Sequence, residues 1–196
     1  VAVNASARQV LDTQFLRRVQ ALLDEHRLPA RCIEIELTEN VLQTGPATVD
    51  AVRQLREFGI GIALDDFGTG YSALASLERL PLTRVKLDQS LITSIDTNER
   101  SRVIAQAIAG LCGNLGLEMT AEGIERPEQL VPLLGYPSTY LQGYLLSRPV
   151  RGQDLLARIK DVPARMQSML LTHPALRPAA VDKSGRHAKP RLVRST

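Results

Sequence analysis

Short apolar segments alternate with segments of helical periodicity along most of this chain. The apolar or β-branched segments lie at residues 1–4, 32–37, 59–65, 84–88, 117–123 and 140–146. Between them, apolar residues recur every three or four positions, as on one face of an amphipathic helix. Strands that alternate with helices, with few hairpin signals, favour βαβ units and a parallel sheet. The pattern therefore predicts an α/β fold with about six parallel strands.

The helical segments are also predicted from this periodicity. They cover residues 7–26, 47–58, 72–80, 99–115, 126–135 and 152–162. Gly59 follows the second of them and is a suitable helix stop. The segment 126–135 is the weakest prediction, because Pro132 interrupts it.

Two architectures agree with this alternation, a TIM-type (β/α) barrel and a doubly wound open sheet. A doubly wound dinucleotide-binding sheet would carry a GxGxxG turn between its first strand and first helix. No such turn is present, and the glycines of DFGTGYS (66–72) follow the third strand instead. The pattern favours the barrel and leaves the doubly wound sheet as the alternative.

Polar side chains stand at the carboxyl end of every predicted strand. They are Asn4, Glu36, Asp65, Asp66, Lys86, Asp88, Glu122 and Gln142. In a parallel barrel these ends open on one face, where barrel enzymes have their active sites. The sequence therefore predicts one polar site built from all six strands.

Five of these residues are acidic, and five carboxylates crowded together would repel one another. Bound cations would remove that repulsion, and oxygen ligands without His or Cys suit hard ions such as Mg²⁺ or Mn²⁺. Two such ions beside a lysine are typical of phosphodiester hydrolysis. The alternative for Asp66 or Glu39 is a helix N-cap, and for Lys86 an ordinary ion pair.

The net charge of +3 is unevenly distributed over the 196 residues. Residues 163–196 hold seven Lys/Arg and one acid, whereas the remainder holds 17 Lys/Arg and 20 acids. Such a basic, proline-containing tail is typical of a solvated, disordered extension, and contact with nucleic acid is the less favoured alternative. Cys32 and Cys112 stand far apart without a partner motif, which indicates reduced thiols and a cytoplasmic protein.

Six motifs of this chain, in this order and spacing, resemble the EAL-domain family. They are VNASARQ (3–9), IEIELTEN (33–40), ALDDFGTGYSAL (63–74), LPLTRVKLDQS (80–90), TAEGIE (120–125) and YLQGYLLSRPV (140–150). Members of that family are bacterial phosphodiesterases that linearise cyclic di-GMP to pGpG. The resemblance covers residues 1–160 and implies a TIM-type barrel domain there, followed by the tail at 161–196.

The resemblance also implies a role for each matching residue. The metal ligands for two Mg²⁺ or Mn²⁺ ions would be Asn4, Glu36, Asp65, Asp66 and Asp88. Glu122 would be the general base and Lys86 would help to hold the attacking water. Gln142 and Arg8 would contact the substrate, whereas Glu39 and Glu125 would anchor the DFGTG loop. That loop would also contribute to a homodimer.

The Glu-Ala-Leu motif that names the family precedes VAVN in other members. We therefore expect an incomplete barrel with about six of its eight strands, from a longer protein, with weak or no activity in this chain alone. The alternative function is a non-catalytic module that binds cyclic di-GMP or docks a partner. We expect no transmembrane segment.

Overall fold

Six parallel strands form one sheet whose spatial order follows the chain, β1-β2-β3-β4-β5-β6. The computed structural model describes residues 1–39, 41, 45–68, 73–173 and 176. The strands are β1 (Ala2–Asn4), β2 (Glu34–Thr38), β3 (Gly61–Phe67), β4 (Arg84–Leu87), β5 (Glu118–Ala121) and β6 (Thr139–Leu141). Sequential parallel order is the order of a (β/α) barrel. The predicted α/β architecture with six strands is confirmed; among the described residues β1 and β6 do not pair, so the sheet is open.

Seven α-helices accompany these strands in the described part of the chain. They are α1 (Ala7–Val10), α2 (Phe15–Glu25), α3 (Pro46–Phe58), α4 (Ala73–Arg79), α5 (Gln89–Ile92), α6 (Glu99–Asn114) and α7 (Leu155–Thr172). Gly59 caps α3 in the left-handed conformation at φ 102°, as its position predicts. The segment with Pro132 forms a 3₁₀ helix, Pro127–Leu133, because proline cannot donate the α-helical hydrogen bond.

The core lies against the outward face of the sheet. Alternate residues of the central strands are almost fully buried there: Ile35, Leu37, Ile62, Leu64, Val85, Leu87, Met119 and Ala121. Helix α3 contacts β3 and α6 contacts β5. Each fully buried aliphatic side chain contributes about 1.5–3 kcal/mol. Because side chains alternate along a strand, the residues between these face the other side of the sheet, which is where the polar side chains lie.

The predicted helix over 7–26 is two helices. Asp12 interrupts it, because its side chain accepts a hydrogen bond from the Gln14 N–H at 2.9 Å and its carbonyl accepts one from Phe15. A short acidic side chain that bonds the nearby backbone competes with the helix. After the break, the buried face of α2 includes Leu23, whereas Leu22 is exposed.

The first part of the basic tail is helical, whereas its composition predicts a largely disordered segment from residue 161. Helix α7 continues through Pro163 to Thr172. The spacing of Ile159, Val162 and Met166 shows the physical reason, since helical periodicity persists beyond residue 161. Residues 174, 175 and 177–196 lie outside the described part.

The chain divides into two compact units, Val1–Arg148 and Pro149–Thr196. The first contains the whole sheet. The second contains α7, on which no residue is buried. Within the described residues, no helix combines the length and the apolar character needed to cross a membrane.

Gly143 provides a stability test of the loop after β6. A Cβ built there would overlap the backbone carbonyl, nitrogen and carbon of Ile124, which cannot move aside as a flexible side chain would. We expect Gly143→Ala to destabilise the fold by about 1–3 kcal/mol, measured by urea or thermal unfolding.

Gly113 near the end of α6 is the matched control. No atom lies within 4 Å of a Cβ built at this position. Gly113→Ala should leave stability unchanged or raise it by roughly 0.5–1 kcal/mol, because alanine favours a helix. Equal unfolding curves for Gly143→Ala and the wild type would contradict the close backbone approach.

Candidate active site

Lys86 is the centre of the polar face of the sheet. Its ammonium nitrogen Nζ lies 3.0 Å from Glu36 Oε1, 2.9 Å from Asp65 Oδ1 and 2.7 Å from Glu122 Oε1. The Lys86 side chain is only 7% exposed, and the three carboxylates are 10–18% exposed. Four predicted site residues, from β2, β3, β4 and the segment after β5, therefore meet in one buried ionic cluster, called the Lys86 cluster below.

Small residues on β3 make this meeting possible. Strand β3 lies between β2 and β4, and Ala63 is the register partner of both Glu36 and Arg84. Gly61 is the partner of Glu34, and a Cβ built at Gly61 would lie 3.4 Å from Glu34 Oε2. With only a methyl group and a hydrogen on this part of β3, side chains of β4 can extend across it to β2.

Strand β3 is distorted at its two adjacent aspartates, Asp65 and Asp66. The pairing of β3 with β4 shifts register between Leu64 and Phe67. Asp66, inside this shift, adopts a left-handed backbone with φ 55°, which costs a non-glycine residue roughly 1–2 kcal/mol. Asp65 shares a strand face with Ala63 by normal alternation and contacts Lys86, whereas Asp66 is exposed at the rim.

Two further acids hold the rim in place. The Gly68 N–H donates to Glu39 Oε1 at 3.2 Å, which joins the residue after β3 to the segment after β2. Asp88 is the N-cap of α5, and its side chain accepts from the Ser90 N–H at 2.8 Å. Asp88 therefore has the capping role that was weighed as the alternative for single acids at strand ends. Residues 69–72 of the DFGTG loop, predicted to contribute to a dimer, lie outside the described residues.

The remaining predicted site residues have exposed side chains. Asn4 ends β1 as the register partner of Glu36, and its side chain is exposed. Arg8 is exposed on α1, and Gln142 is exposed after β6. Glu125 is exposed, and its backbone N–H donates to Gln129 Oε1.

Burial and neighbouring charges shift the pKa values of three residues at this site. Burial alone would lower the pKa of Lys86, but hydrogen bonding to Glu122, Asp65 and Glu36 outweighs burial and raises the pKa above its ordinary value. Burial raises the pKa of Glu122, and this is opposed by Lys86 and reinforced by Asp65 and Glu36. Desolvation, then the charges of Asp65 and Asp88, raise the pKa of Asp66. Lys86 is therefore a cation at neutral pH, and Glu122 is more basic than an ordinary glutamate.

The donor set of this edge suits a hard divalent cation. Its oxygens come from carboxylates, in excess over the ammonium of Lys86, and divalent cations such as Mg²⁺ prefer oxygen ligands. Glu122 Oε1 is buried without a hydrogen bond of good geometry, although Lys86 Nζ lies 2.7 Å away. In the part of the chain that the structure describes, no three acidic, His or Cys side chains are already arranged to hold an ion. Lys86 lies among three of these acids, with its Nζ 2.7–3.0 Å from an oxygen of each.

One charged residue of this face was missed in the sequence. Arg84, two residues before Lys86 on β4, pairs with Glu34 and Glu118. The alternation of side chains along RVKLD could have identified it, because Arg84 and Lys86 must point to the same side of the strand.

Comparison with known proteins now identifies the family. The EAL domain family model matches residues 1–149. The chain belongs to the EAL domain family. The match covers the sheet and every predicted site residue, and it ends one residue beyond the unit Val1–Arg148.

A curated relative and two solved structures illustrate the similarity of this EAL domain. The cyclic di-GMP phosphodiesterase NbdA of Pseudomonas aeruginosa is 41% identical over 151 residues, which are 76% of this chain and 19% of NbdA. The EAL enzyme Bd1971, in its cAMP- and cyclic-di-GMP-bound form, is 34% identical with a TM-score of 0.77, covering 81% of this chain and 42% of that one.

BlrP1 of Klebsiella pneumoniae, in a manganese and cyclic di-GMP complex, is 29% identical with a TM-score of 0.71. That alignment covers 76% of this chain and 38% of BlrP1. The chain thus spans about a fifth of the length of NbdA and well under half of either solved chain.

The Lys86 cluster predicts a pH-dependent loss of stability in Lys86→Met. Buried carboxylates left without their cation cost on the order of 3–5 kcal/mol. Because Glu122 already has a raised pKa, its folded form holds the proton more tightly than the unfolded form, so stability falls as pH rises above the ordinary value of 4.5. In Lys86→Met, stability should fall more steeply with rising pH than in the wild type. The unfolding temperature, measured between pH 4 and pH 8 in EDTA, checks this.

Lys160→Met on the exposed surface of α7 is the control for loss of a positive charge. It should follow the wild-type curve at every pH. If Lys86→Met also follows the wild-type curve, the three carboxylates do not depend on this ammonium.

Proposed function

We propose that this EAL domain binds cyclic di-GMP at the carboxyl edge of its sheet and hydrolyses one phosphodiester to give linear pGpG, as a cyclic-guanylate-specific phosphodiesterase. The observation that carries the proposal is the convergence of Glu36, Asp65, Lys86 and Glu122 at distances of 2.7–3.0 Å. The phosphodiesterase name of NbdA and the cyclic di-GMP complex of Bd1971 support the choice of substrate.

Two divalent cations, Mg²⁺ or Mn²⁺, are the proposed cofactors, and the manganese in the BlrP1 complex supports this choice. Glu36, Asp65, Asp66, Asp88 and Asn4 would hold them. When bound, the cations would stabilise negative charge on the phosphoryl oxygens. Glu36 and Asp65 would have to exchange some of their contact with Lys86 for contact with a cation.

Glu122 is the proposed general base. Its raised pKa makes it a better proton acceptor than an ordinary glutamate, and it lies beside the ammonium of Lys86, which would orient the attacking water. Lys86 cannot itself be the base at neutral pH because its raised pKa keeps it protonated. Gln142, exposed after β6, and Arg8, exposed on α1, would contact the substrate after it binds.

The proposal extends to the loop and to assembly. Glu39 would anchor the DFGTG loop, which the hydrogen bond from Gly68 supports, and Glu125 would assist from the segment after Glu122. The loop would contribute to a homodimer, and the protein would act in the cytoplasm, where its two free cysteines stay reduced. We do not assign nucleic-acid binding to the basic tail.

A second candidate function is a binding module that holds cyclic di-GMP without hydrolysis. The position of Lys86 between Glu36, Asp65 and Glu122 favours it, because the described acids do not form a ready cation site. Product formation distinguishes the two functions, since both would bind the nucleotide.

The test is incubation of the chain with cyclic di-GMP and Mn²⁺, followed by chromatography for pGpG. The wild type should form pGpG slowly, in line with the weak activity expected of an incomplete barrel, and lose this activity in EDTA. Glu122→Gln should lower turnover by about 10²–10⁴-fold while it retains nucleotide binding, because only proton transfer is lost. Glu99→Gln, on the exposed surface of α6, is the matched control and should be as active as the wild type.

Binding without pGpG in the wild type would support the binding module and contradict the enzyme. Equal turnover by Glu122→Gln and the wild type would remove Glu122 from its proposed role.

A further inference from the structure

Arg84, two residues before Lys86 on β4, forms a second ionic cluster on the same face of the sheet. Its Nε lies 3.0 Å from Glu34 Oε2 on β2, and its Nη2 lies 2.6 Å from Glu118 Oε2 on β5. Its Nη1 donates to Thr120 Oγ1 at 3.2 Å, and its guanidinium lies 4.4 Å from the ring centre of Tyr140 on β6. One side chain therefore joins β2, β4, β5 and β6, and these residues are called the Arg84 cluster below.

The Arg84 cluster repeats the pattern of the Lys86 cluster nearer the amino ends of the same strands. Lys86 connects Glu36 of β2 with Glu122 after β5, and Arg84 connects Glu34 of β2 with Glu118 of β5. Both side chains cross β3 to reach β2. The two clusters thus bridge the same strands. The distance between β2 and β5 at the Arg84 cluster therefore affects the distance between them at the Lys86 cluster.

Only an arginine can make this set of contacts. Three different nitrogens of one planar guanidinium face Glu34, Glu118 and Thr120, and the ring of Tyr140 packs against the flat face. Tyr140 OH in turn donates to Glu118 Oε1 at 2.9 Å. A lysine has one nitrogen and no flat face, so it can retain only part of the cluster.

We propose that Arg84 is a positioning residue, which holds β2 and β5 at the separation that lets Glu36 and Glu122 meet at Lys86. The part of this inference that concerns turnover rests on the proposed function. The part that concerns geometry does not, because it refers only to side chains of this chain.

Geometry is tested first, by a crystal structure of the full chain carrying Arg84→Met without metal or nucleotide. Methionine keeps much of the apolar volume and removes every polar contact of Arg84. We expect Lys86 Nζ to lose either Glu36 or Glu122, with a separation beyond 4 Å, the limit of an ion pair. A structure with both contacts at their wild-type distances of 3.0 and 2.7 Å would overturn the proposal.

The functional consequence is tested by two measurements, the affinity for Mn²⁺ by calorimetry and the turnover of cyclic di-GMP. Loss of a residue that orients ligands typically weakens metal binding or activity by 10–100-fold. Arg84→Met should weaken Mn²⁺ binding at least about tenfold and lower kcat by a similar factor, with KM within about threefold. Arg84→Lys should give intermediate values for both, because it keeps one of the ion pairs.

Two variants complete the design. Arg53→Met removes an exposed arginine of α3 that pairs with Asp50 at 2.8 Å, and it should match the wild type in every measurement. Glu34→Ala removes the β2 side of the Arg84 cluster and provides the same test if Arg84→Met does not fold. We expect it to weaken Mn²⁺ binding in the same direction as Arg84→Met.

A folded Arg84→Met or Glu34→Ala protein with wild-type Mn²⁺ affinity would overturn the proposal. If the wild type does not hydrolyse cyclic di-GMP, the proposed function fails, but the Lys86 distances in the Arg84→Met crystal still decide whether Arg84 positions the cluster. The two failures are therefore distinguishable.

Discussion

The contact of one buried ammonium with three carboxylates is the interaction on which the site depends. Removing charges from water is costly, and this cost is recovered only when opposite charges meet at short distance with good geometry. Lys86 provides the short distances in the described structure, with Glu36, Asp65 and Glu122 all within 3.0 Å. Three acids against one ammonium still leave an excess of negative charge, and this excess is the physical basis of the proposed cation binding at the edge of the sheet.

Three glycines at the rim keep the connecting segments close to this cluster. A Cβ at Gly68 would lie 2.5 Å from Leu91 Cδ1, and one at Gly123 would lie 2.6 Å from Gln89 Cβ. Gly143 packs directly on the backbone of Ile124. Residues 89–92 form the short helix α5, so this helix contacts both the loop after β3 and the segment after β5. The positions of the acids thus depend on backbone packing as well as on their charges.

Much of the fold could be predicted from the chain. Strand and helix periodicity located all six strands, and the polar residues at their ends located the edge that carries the site. The break at Asp12 and the burial of Leu23 could not be predicted this way, because a local turn reset the helical face. The extension of α7 to Thr172 is not evident from composition, because this segment is basic and contains Pro163.

The side-chain contacts inside the site are harder to predict from the sequence than the fold. Spacing on β4 places Arg84 and Lys86 on one face, but it does not show that both extend across β3 to β2. That depends on the small side chains of Gly61 and Ala63, which are ordinary in sequence. The left-handed backbone of Asp66 is likewise a consequence of the register shift between β3 and β4.

Anomalous diffraction from crystals of the chain soaked with Mn²⁺ and cyclic di-GMP would show directly whether cations bind at the carboxyl edge of the sheet. We expect manganese peaks at this edge, with carboxylate oxygens of Glu36, Asp65 or Asp66 at about 2.0–2.3 Å, and a phosphate of the nucleotide beside them. Manganese peaks only elsewhere on the molecule, with Glu36, Asp65 and Glu122 still paired to Lys86, would contradict this expectation.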